Sequence, residues 1–310
     1  MIHPTFAEVE EAAVRIAPHT HRTPVFTSQY LDRATGATVF LKAENLQKVG
    51  AFKARGATNA ILLLTDRDAA RGVIAHSSGN HGQAVAYACS IRGVPATIVM
   101  PEGSSAVKVD AVRGYGATVV FCPPSDREQR VIDLIDKYGF IEVHPFDDPW
   151  VIAGQATATL ELITEVPDIH VVLAPIGGGG LLSGASIVTA EHGLDLLGAE
   201  PEMVDDARRS LEDGVRYPAT GAVSIADGLL TGIGSLPFAI LSGTATTILT
   251  VSEEEILSAM GILAERTKMV VEPSGATAVA ALLRYASRFR DKRVGVILSG
   301  GNIRPSHSAR

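Results

Sequence analysis

The fold and the chemistry of this chain are best approached from one lysine-bearing stretch, which reads GAFKARGA at residues 50–57. Lys53 stands there among small and apolar residues, at the point where a helical pattern begins. An ordinary lysine is a solvated surface charge, whereas partial burial lowers the pKa of the amine and makes it nucleophilic. Lys53 is therefore a candidate for covalent chemistry, against the commoner alternative of an exposed lysine at a helix start.

Short apolar runs alternate with helical patterns outward from this stretch. We predict strands at residues 73–75, 97–100, 118–121, 141–143, 171–174, 194–199 and 294–298. Between them we predict helices at residues 84–91, 105–115, 126–138, 150–165, 181–191, 253–267 and 275–287. This repeating pattern indicates an α/β fold whose parallel sheet is covered on both faces, with residues 205–235 as its least regular part.

The composition excludes several classes of protein. The chain has 310 residues, 46% of them hydrophobic, which favours two domains with large cores. Its net charge of -7 counts against a nucleic-acid partner, which needs clustered cations. No apolar run approaches the ~20 residues that span a bilayer, so no membrane partner is expected. Two isolated cysteines and the absence of a signal-peptide pattern predict a reduced, cytoplasmic protein.

Polar or glycine-rich turns follow four of the predicted strands. They are residues 77–83 (SSGNHGQ), 177–180 (GGGG), Glu200 and residues 299–301 (SGG). In open α/β sheets, ligands bind outside the carboxyl ends of the strands, so we expect these turns to converge on one ligand. The polar turn at residues 77–83 suits a carboxylate, although its serine or asparagine would equally cap a helix.

The four consecutive glycines point to an anion. Glycines allow close approach of the backbone, and a helix N-terminus offers free N–H donors; the alternative is a flexible turn. No Gly-Lys-Ser/Thr follows, which argues against a nucleotide P-loop, and no Gly-x-Gly-x-x-Gly opens the first βα unit, which argues against a nicotinamide cofactor. A nucleophilic amine with a phosphate-sized glycine loop and polar turns provides what is needed to hold pyridoxal phosphate as a Schiff base.

As an ordered set, these motifs resemble the fold-type II pyridoxal-phosphate enzymes, specifically the serine/threonine dehydratase and serine racemase family. The resemblance covers residues 23–302 and rests on the stretches at residues 50–57, 77–83, 152–155, 177–180, 272–275 and 298–302. It implies a tryptophan synthase β-like α/β fold of two parallel-sheet domains with the active site in the cleft between them. The large domain would comprise residues 1–71 and 148–310, and a small mobile domain residues 72–147. A homodimer is also implied.

The resemblance assigns a role to each motif. Lys53 would form the Schiff base, Phe52 would pack beside the pyridine ring, Asn80 would bond the phenolic oxygen, and Ser299 would contact the pyridine nitrogen. The phosphate would lie against the backbone of Gly177, Gly178, Gly179, Gly180 and Leu181. The α-carboxylate of a small amino-acid substrate would lie in the turn formed by Ser77, Ser78, Gly79, Asn80 and His81.

Two features resemble the serine racemase branch. Ser78 would be a second catalytic residue, exchanging a proton with the substrate Cα on the face opposite Lys53. Glu200, the Val204 carbonyl and Asp206 match the divalent-cation site of that branch, which would take Mg²⁺, Ca²⁺ or Mn²⁺; from the residues alone, a solvated acidic loop is the alternative.

We expect a pyridoxal-phosphate-dependent serine/threonine dehydratase, an ammonia-lyase that converts an L-β-hydroxy amino acid to a 2-oxo acid and ammonia. The alternatives are a serine racemase and a 3-hydroxyaspartate dehydratase. Ala51 stands where many family members have Ser or Thr, which leaves a substrate with a second carboxylate as an alternative. The candidates to bind that carboxylate are Arg127, Gln129 and Arg130. A non-catalytic pyridoxal-phosphate-binding protein is the alternative from another class, and the pairing of Lys53 with Ser78 argues against it.

Overall fold

A computed structural model describes residues 3–77 and 79–303; the predicted catalytic residue Ser78 lies outside these ranges. The helices of the described part are α1 (Phe6–Ile16), α2 (Gln29–Thr35), α3 (Lys53–Leu63), α4 (Asp66–Arg71), α5 (Asn80–Arg92), α6 (Ala106–Gly114), α7 (Arg127–Tyr138), α8 (Pro149–Glu165), α9 (Gly180–Glu191), α10 (Asp206–Asp213), α11 (Ser235–Leu241), α12 (Glu253–Thr267) and α13 (Pro273–Arg284). The strands are β1 (Val25–Thr27), β2 (Thr38–Lys42), β3 (Val73–His76), β4 (Ala96–Pro101), β5 (Thr118–Cys122), β6 (Ile141–Glu142), β7 (Val171–Pro175), β8 (Asp195–Pro201), β9 (Thr247–Val251) and β10 (Arg293–Ile297).

The strands form two sheets. The larger sheet has the order β1-β2-β10-β7-β8-β9, and only its edge strand β1 runs antiparallel to its neighbour. The smaller sheet has the order β5-β4-β3-β6 and is parallel throughout. The predicted α/β class with two parallel-sheet units is confirmed. Since β10 lies between β2 and β7, the beginning and the end of the chain meet in one sheet.

Helix prediction succeeded best where apolar residues recur at helical spacing. The helix predicted at residues 253–267 coincides with α12, which a capping box from Ser252 and Glu255 begins. The structure adds α10 inside residues 205–235, which the sequence indicated as irregular. This helix reads DARRSLED and buries only Asp206, Ala207 and Ser210, so it contains too few apolar residues to be distinguished by its mean hydropathy.

A buried ionic cluster anchors the helix that begins at Lys53. The Arg55 guanidinium is fully buried and donates to both carboxylate oxygens of Glu44, at 2.7 and 2.8 Å, and to both of Glu161, at 2.7 and 2.8 Å. Lys42 Nζ, also fully buried, donates to Glu161 at 2.7 Å. Each buried charge has partners, as burial requires, and the cluster ties α3 to β2 and α8.

The smaller sheet lies within the residues predicted to form the mobile domain, since its strands run from Val73 to Glu142. The domain boundaries at residues 72 and 147, and movement of that unit, stay predictions. Among the helices described, none is both long enough and apolar enough to cross a bilayer.

Candidate active site

A cavity of about 240 Å³ lies between the two sheets, where turns at the carboxyl ends of their strands meet. Of the predicted cofactor and substrate residues, Ser78 lies outside the described part, and all the others line this cavity: Phe52, Lys53, Ser77, Gly79, Asn80, His81, Gly177, Gly178, Gly179, Gly180, Leu181 and Ser299. The structure thus brings together segments that are far apart in sequence, and the individual roles stay predictions.

Strand order explains why the two ends of the chain reach the same site. Strands β2 and β10 are parallel neighbours, so their carboxyl ends lie side by side. Beyond them, Ala51 and Gly300 form an isolated antiparallel bridge, and Phe52 N donates to Ser299 O at 3.0 Å. The backbone before Lys53 is therefore held against the turn that carries Ser299.

Lys53 is the first residue of α3 and points into the cavity. Its Nζ donates to Pro145 O at 2.8 Å and lies 5.2 Å from the centroid of the Phe52 ring. Burial lowers the pKa of this amine to about 8. A substantial neutral fraction therefore exists near neutral pH, as a nucleophilic amine requires.

Histidines around Lys53 are held neutral. Burial, followed by the charge on Lys53, holds the pKa of His81 well below its usual value, and burial lowers that of His144 to about 4. His81 Nε2 lies 2.8 Å from Val143 O and must donate to it, because a carbonyl only accepts. Its buried Nδ1 has no partner among residues 3–77 and 79–303. The ring therefore offers an acceptor to the site, not a positive charge.

The glycine loop between β7 and α9 leaves no room for side chains. A Cβ on Gly178 would lie 2.1 Å from the Phe146 ring, one on Gly177 2.8 Å from Leu229 Cα, and one on Gly179 2.7 Å from Pro237 Cβ. Gly179 also has a φ of 93° and occupies the N-cap position of α9, where it provides no side-chain hydrogen bond to the helix. The N–H groups of the first turn of α9 are thus uncapped beside the cavity, an arrangement that binds phosphate.

These residues fit pyridoxal phosphate, since a lysine with a lowered pKa shares one cavity with an uncapped glycine-rich helix start. A family model described as "Pyridoxal-phosphate dependent enzyme" matches residues 16–300. The chain belongs to this family of pyridoxal-phosphate-dependent enzymes. The predicted family, fold and organic cofactor are confirmed.

The relatives of this pyridoxal-phosphate enzyme carry several names. It is 42% identical to the β-hydroxyaspartate dehydratase of Paracoccus denitrificans, over 98% of each chain, and 43% identical to the serine racemase of Dictyostelium discoideum, over 96% of this chain and 95% of the relative. The crystal structure of a threonine deaminase from T.th. superposes with a TM-score of 0.92 at 45% identity, covering 98% of this chain and 100% of the other. Lyases and racemases both occur among these relatives, which fits the predicted class of enzyme without separating its alternatives.

Several residues of the cavity received no role in the sequence analysis. Glu272, which is 6% exposed, accepts from Asn80 Nδ2 at 2.8 Å and from Asn302 N at 3.0 Å. Burial raises the pKa of Glu272 to about 7. Its sequence signal is the motif at residues 272–275, of which it is the first residue, just before α13. His76, Lys108, Phe146 and Asp227 also line the cavity.

Of the three residues considered for a second substrate carboxylate, the structure brings one to the cavity. Arg127, at the start of α7, is part of the lining, whereas Gln129 and Arg130 are outside it. Across the cleft, Lys108 Nζ lies 3.2 Å from Asp227 Oδ2 and links α6 to the segment before α11.

The predicted cation ligands lie apart from this cavity, between the end of β8 and the start of α10. Glu200, Val204 and Asp206 are each 2% exposed. Burial raises the pKa of Glu200 to about 8, and Asp206 adds to the effect; burial raises that of Asp206 to about 6. In the part of the chain that the structure describes, no three His, Cys, Asp or Glu side chains cluster as a metal site. The candidate set is therefore two carboxylates and a main-chain carbonyl.

Proposed function

We propose that this protein is an ammonia-lyase that converts an L-β-hydroxy amino acid, serine or threonine, to a 2-oxo acid and ammonia. The observation that carries the proposal is the placement of Lys53, with its lowered pKa, in one cavity with the glycine loop at the start of α9. Pyridoxal phosphate, when bound, supplies the electron sink for negative charge at the substrate Cα.

Residues of the chain would bind the cofactor and the substrate and transfer the proton. The first turn of α9 would bind the phosphate, and Lys53 would hold the cofactor and then remove the proton from the substrate Cα. A base with a pKa near the working pH suits this proton transfer. The substrate carboxylate would bind to N–H groups at the start of α5, which no side chain of residues 3–77 and 79–303 caps. The neutral His81 ring would add no donor at Nδ1.

A substrate panel tests the proposal. The holoenzyme would be incubated with L-serine, D-serine, L-threonine and 3-hydroxyaspartate, while 2-oxo acid release and the chirality of remaining serine are measured. Release from L-serine or L-threonine is the expected result. D-serine as the main product would indicate the racemase alternative, which depends on Ser78. Binding of cofactor without turnover of any substrate would indicate the non-catalytic alternative.

A second candidate function, dehydration of 3-hydroxyaspartate, is favoured by Arg127. Its guanidinium lies close enough to the cavity to lower the pKa of His76, after the larger effect of burial. Its hydrogen bonding within the described residues is confined to a 3.2 Å bond from Nε to Pro124 O, so its terminal nitrogens are available to a ligand. A guanidinium beside the substrate pocket is the group best suited to a second carboxylate.

Arg127→Gln is expected to separate these substrates. It should lower kcat/KM for 3-hydroxyaspartate by roughly 10- to 100-fold, which is the contribution of a charged hydrogen bond, and change that for threonine less than about twofold. Steady-state kinetics with both substrates measures this. Arg130→Gln, on the exposed part of α7, is the matched control and should affect neither. An equal decrease for both substrates after Arg127→Gln would count against a carboxylate-binding role.

We also propose that Glu200, the Val204 carbonyl and Asp206 bind Mg²⁺, Ca²⁺ or Mn²⁺. Burial raises the pKa of both carboxyl groups, and the charge of Asp206 raises that of Glu200 further; a divalent cation would compensate their charge, which supports this. Without the cation, the raised pKa values mean that the folded state holds extra protons, so stability should fall as pH rises through 6 to 8.

The expected result is that Mg²⁺ raises the melting temperature by several degrees at pH 8 and has a smaller effect at pH 6, because protonated carboxyl groups bind cations weakly. Asp206→Ala should abolish the response. Asp213→Ala, at the other end of α10, should keep it. Calorimetric melts with Mg²⁺ and with chelator measure the effect, and an undiminished response in Asp206→Ala would place the cation elsewhere.

We propose, in line with the family resemblance, that the protein is a cytoplasmic homodimer. Sedimentation equilibrium would test the dimer, and imaging of a tagged chain would test its location.

A further inference from the structure

A chain of hydrogen bonds connects Asn80 to a main-chain carbonyl at the edge of the cavity. Asn302 Nδ2 donates to Val49 O at 2.7 Å and to Asn80 Oδ1 at 2.8 Å. Asn80 Nδ2 in turn donates to Glu272 Oε1 at 2.8 Å, and Glu272 Oε2 accepts from Asn302 N at 3.0 Å. Asn302 belongs to the motif at residues 298–302, in which its side chain had no predicted role.

The direction of every bond in this chain follows from its first member. The Val49 carbonyl can only accept, so the Asn302 amide must turn its nitrogen toward it. Both protons of that nitrogen are then used, and the second one requires an acceptor on Asn80, which is Oδ1. Asn80 must therefore present its nitrogen to Glu272, and one proton of Asn80 Nδ2 is left for another partner.

The surroundings hold this arrangement in place. A Cβ on Gly50 would lie 2.4 Å from Asn302 Oδ1, and one on Gly300 would lie 2.4 Å from Glu272 Oε1 and 3.2 Å from Asn80 Nδ2. The backbone therefore approaches the side chains too closely for a substituent. Val49 has a φ of 54°, which is unfavourable for a β-branched residue and persists only where its surroundings enforce it.

We propose that Asn302 is a positioning residue that sets the orientation of the Asn80 amide, so that an N–H of Asn80 faces the phenolic oxygen of the bound cofactor. This inference rests on the proposed function, in which Asn80 contacts that oxygen. A donor stabilises the phenolic oxygen in its negatively charged form, whereas an inverted amide would present Oδ1 and stabilise its protonated form. The Asn302 side chain therefore controls the balance between two tautomers of the cofactor, although it need not touch the cofactor itself.

Asn302→Asp provides the test, because it keeps the shape of the side chain and replaces the donor nitrogen by an oxygen. In the holoenzyme, the ratio of the long-wavelength visible absorption band to the near-ultraviolet band should fall at least about fivefold, which is the equivalent of one net hydrogen bond. Its dissociation constant for pyridoxal phosphate should rise by a similar factor. Asn302→Ala should shift in the same direction by less, since Asn302 is exposed and water can enter as a donor.

Asn45→Asp is the matched control. Asn45 Nδ2 also donates to a main-chain carbonyl, that of Val270, at 3.1 Å, and a Cβ on Gly301 would lie 3.1 Å from Asn45 Cβ, but Asn45 has no bond to Asn80. This variant should keep the band ratio of the wild type. An unchanged ratio in Asn302→Asp, or an equal shift in Asn45→Asp, would overturn the inference. If Asn302→Asp does not fold, an unchanged ratio in Asn302→Ala has the same meaning.

The failure of the proposed function would look different. In that case the wild-type protein would itself show no visible band with pyridoxal phosphate, or no turnover, whatever residue 302 is.

Discussion

Lys53→Ala is expected to abolish turnover, with a loss of about 10³-fold or more, and to remove the visible absorption band of the lysine-bound cofactor. The substitution removes both the covalent attachment and the proposed base, and each of these accounts for orders of magnitude in rate. Release of 2-oxo acid and the absorption spectrum measure the two consequences separately.

Lys48→Ala is the matched control for this variant. Lys48 lies five residues away and is not part of the cavity lining, so both the spectrum and the rate should stay close to those of the wild type. Turnover by Lys53→Ala in the absence of added amine would contradict the assignment of Lys53. Rescue of the rate by a small primary amine would agree with it.

The pH dependence of cofactor attachment follows from the same lysine. With a pKa of about 8, about a quarter of the Lys53 amine is neutral at pH 7.5, against about 0.1% for an ordinary lysine. The rate at which pyridoxal phosphate recombines with the apoprotein should therefore rise toward pH 8 and level off above it. A rate that continues to rise through pH 10 would show that burial does not lower the pKa of this amine.

Gly178→Ala is expected to have the second largest effect. Its Cβ would overlap the Phe146 ring, at 2.1 Å, so either the ring or the loop must move. Overpacking of this kind typically costs about 1–3 kcal/mol of stability, and movement of the loop would displace the N–H groups proposed to bind the phosphate. We expect a weakening of pyridoxal-phosphate binding by roughly 100-fold, measured by equilibrium dialysis beside a thermal melt.

Two further variants distinguish the overlap from a general intolerance of alanine. Gly114→Ala, at the exposed end of α6, has no atom within 4 Å of the new Cβ and should bind the cofactor normally. Phe146→Ala combined with Gly178→Ala should recover part of the binding, because removal of the ring makes room for the methyl group. Normal binding by Gly178→Ala alone would show that the loop accommodates a side chain.

The family resemblance of the motifs predicted more about this protein than the pattern of secondary structure did. The ordered motifs around Lys53 and the glycine loop indicated the family and the cofactor, and the family match confirms both. The βα alternation indicated the parallel sheets. Strands β1, β2 and β9 were not predicted, and their length is not the reason, since β5, β7 and β10 are no longer than β2 and β9.

Sequence alone determined which chemical groups this protein possesses: an amine among apolar neighbours, a loop without side chains, and a run of polar turns after strands. These are local properties, and short stretches of residues express them directly. Tertiary structure decided which groups meet. It placed Glu272 and Asn302 against Asn80, brought Arg127 to the cavity while leaving Arg130 outside, and buried Arg55 between two carboxylates. Such contacts join residues up to 253 positions apart, as Asn302 and Val49 are, and only the packing of strands and helices fixes their distances.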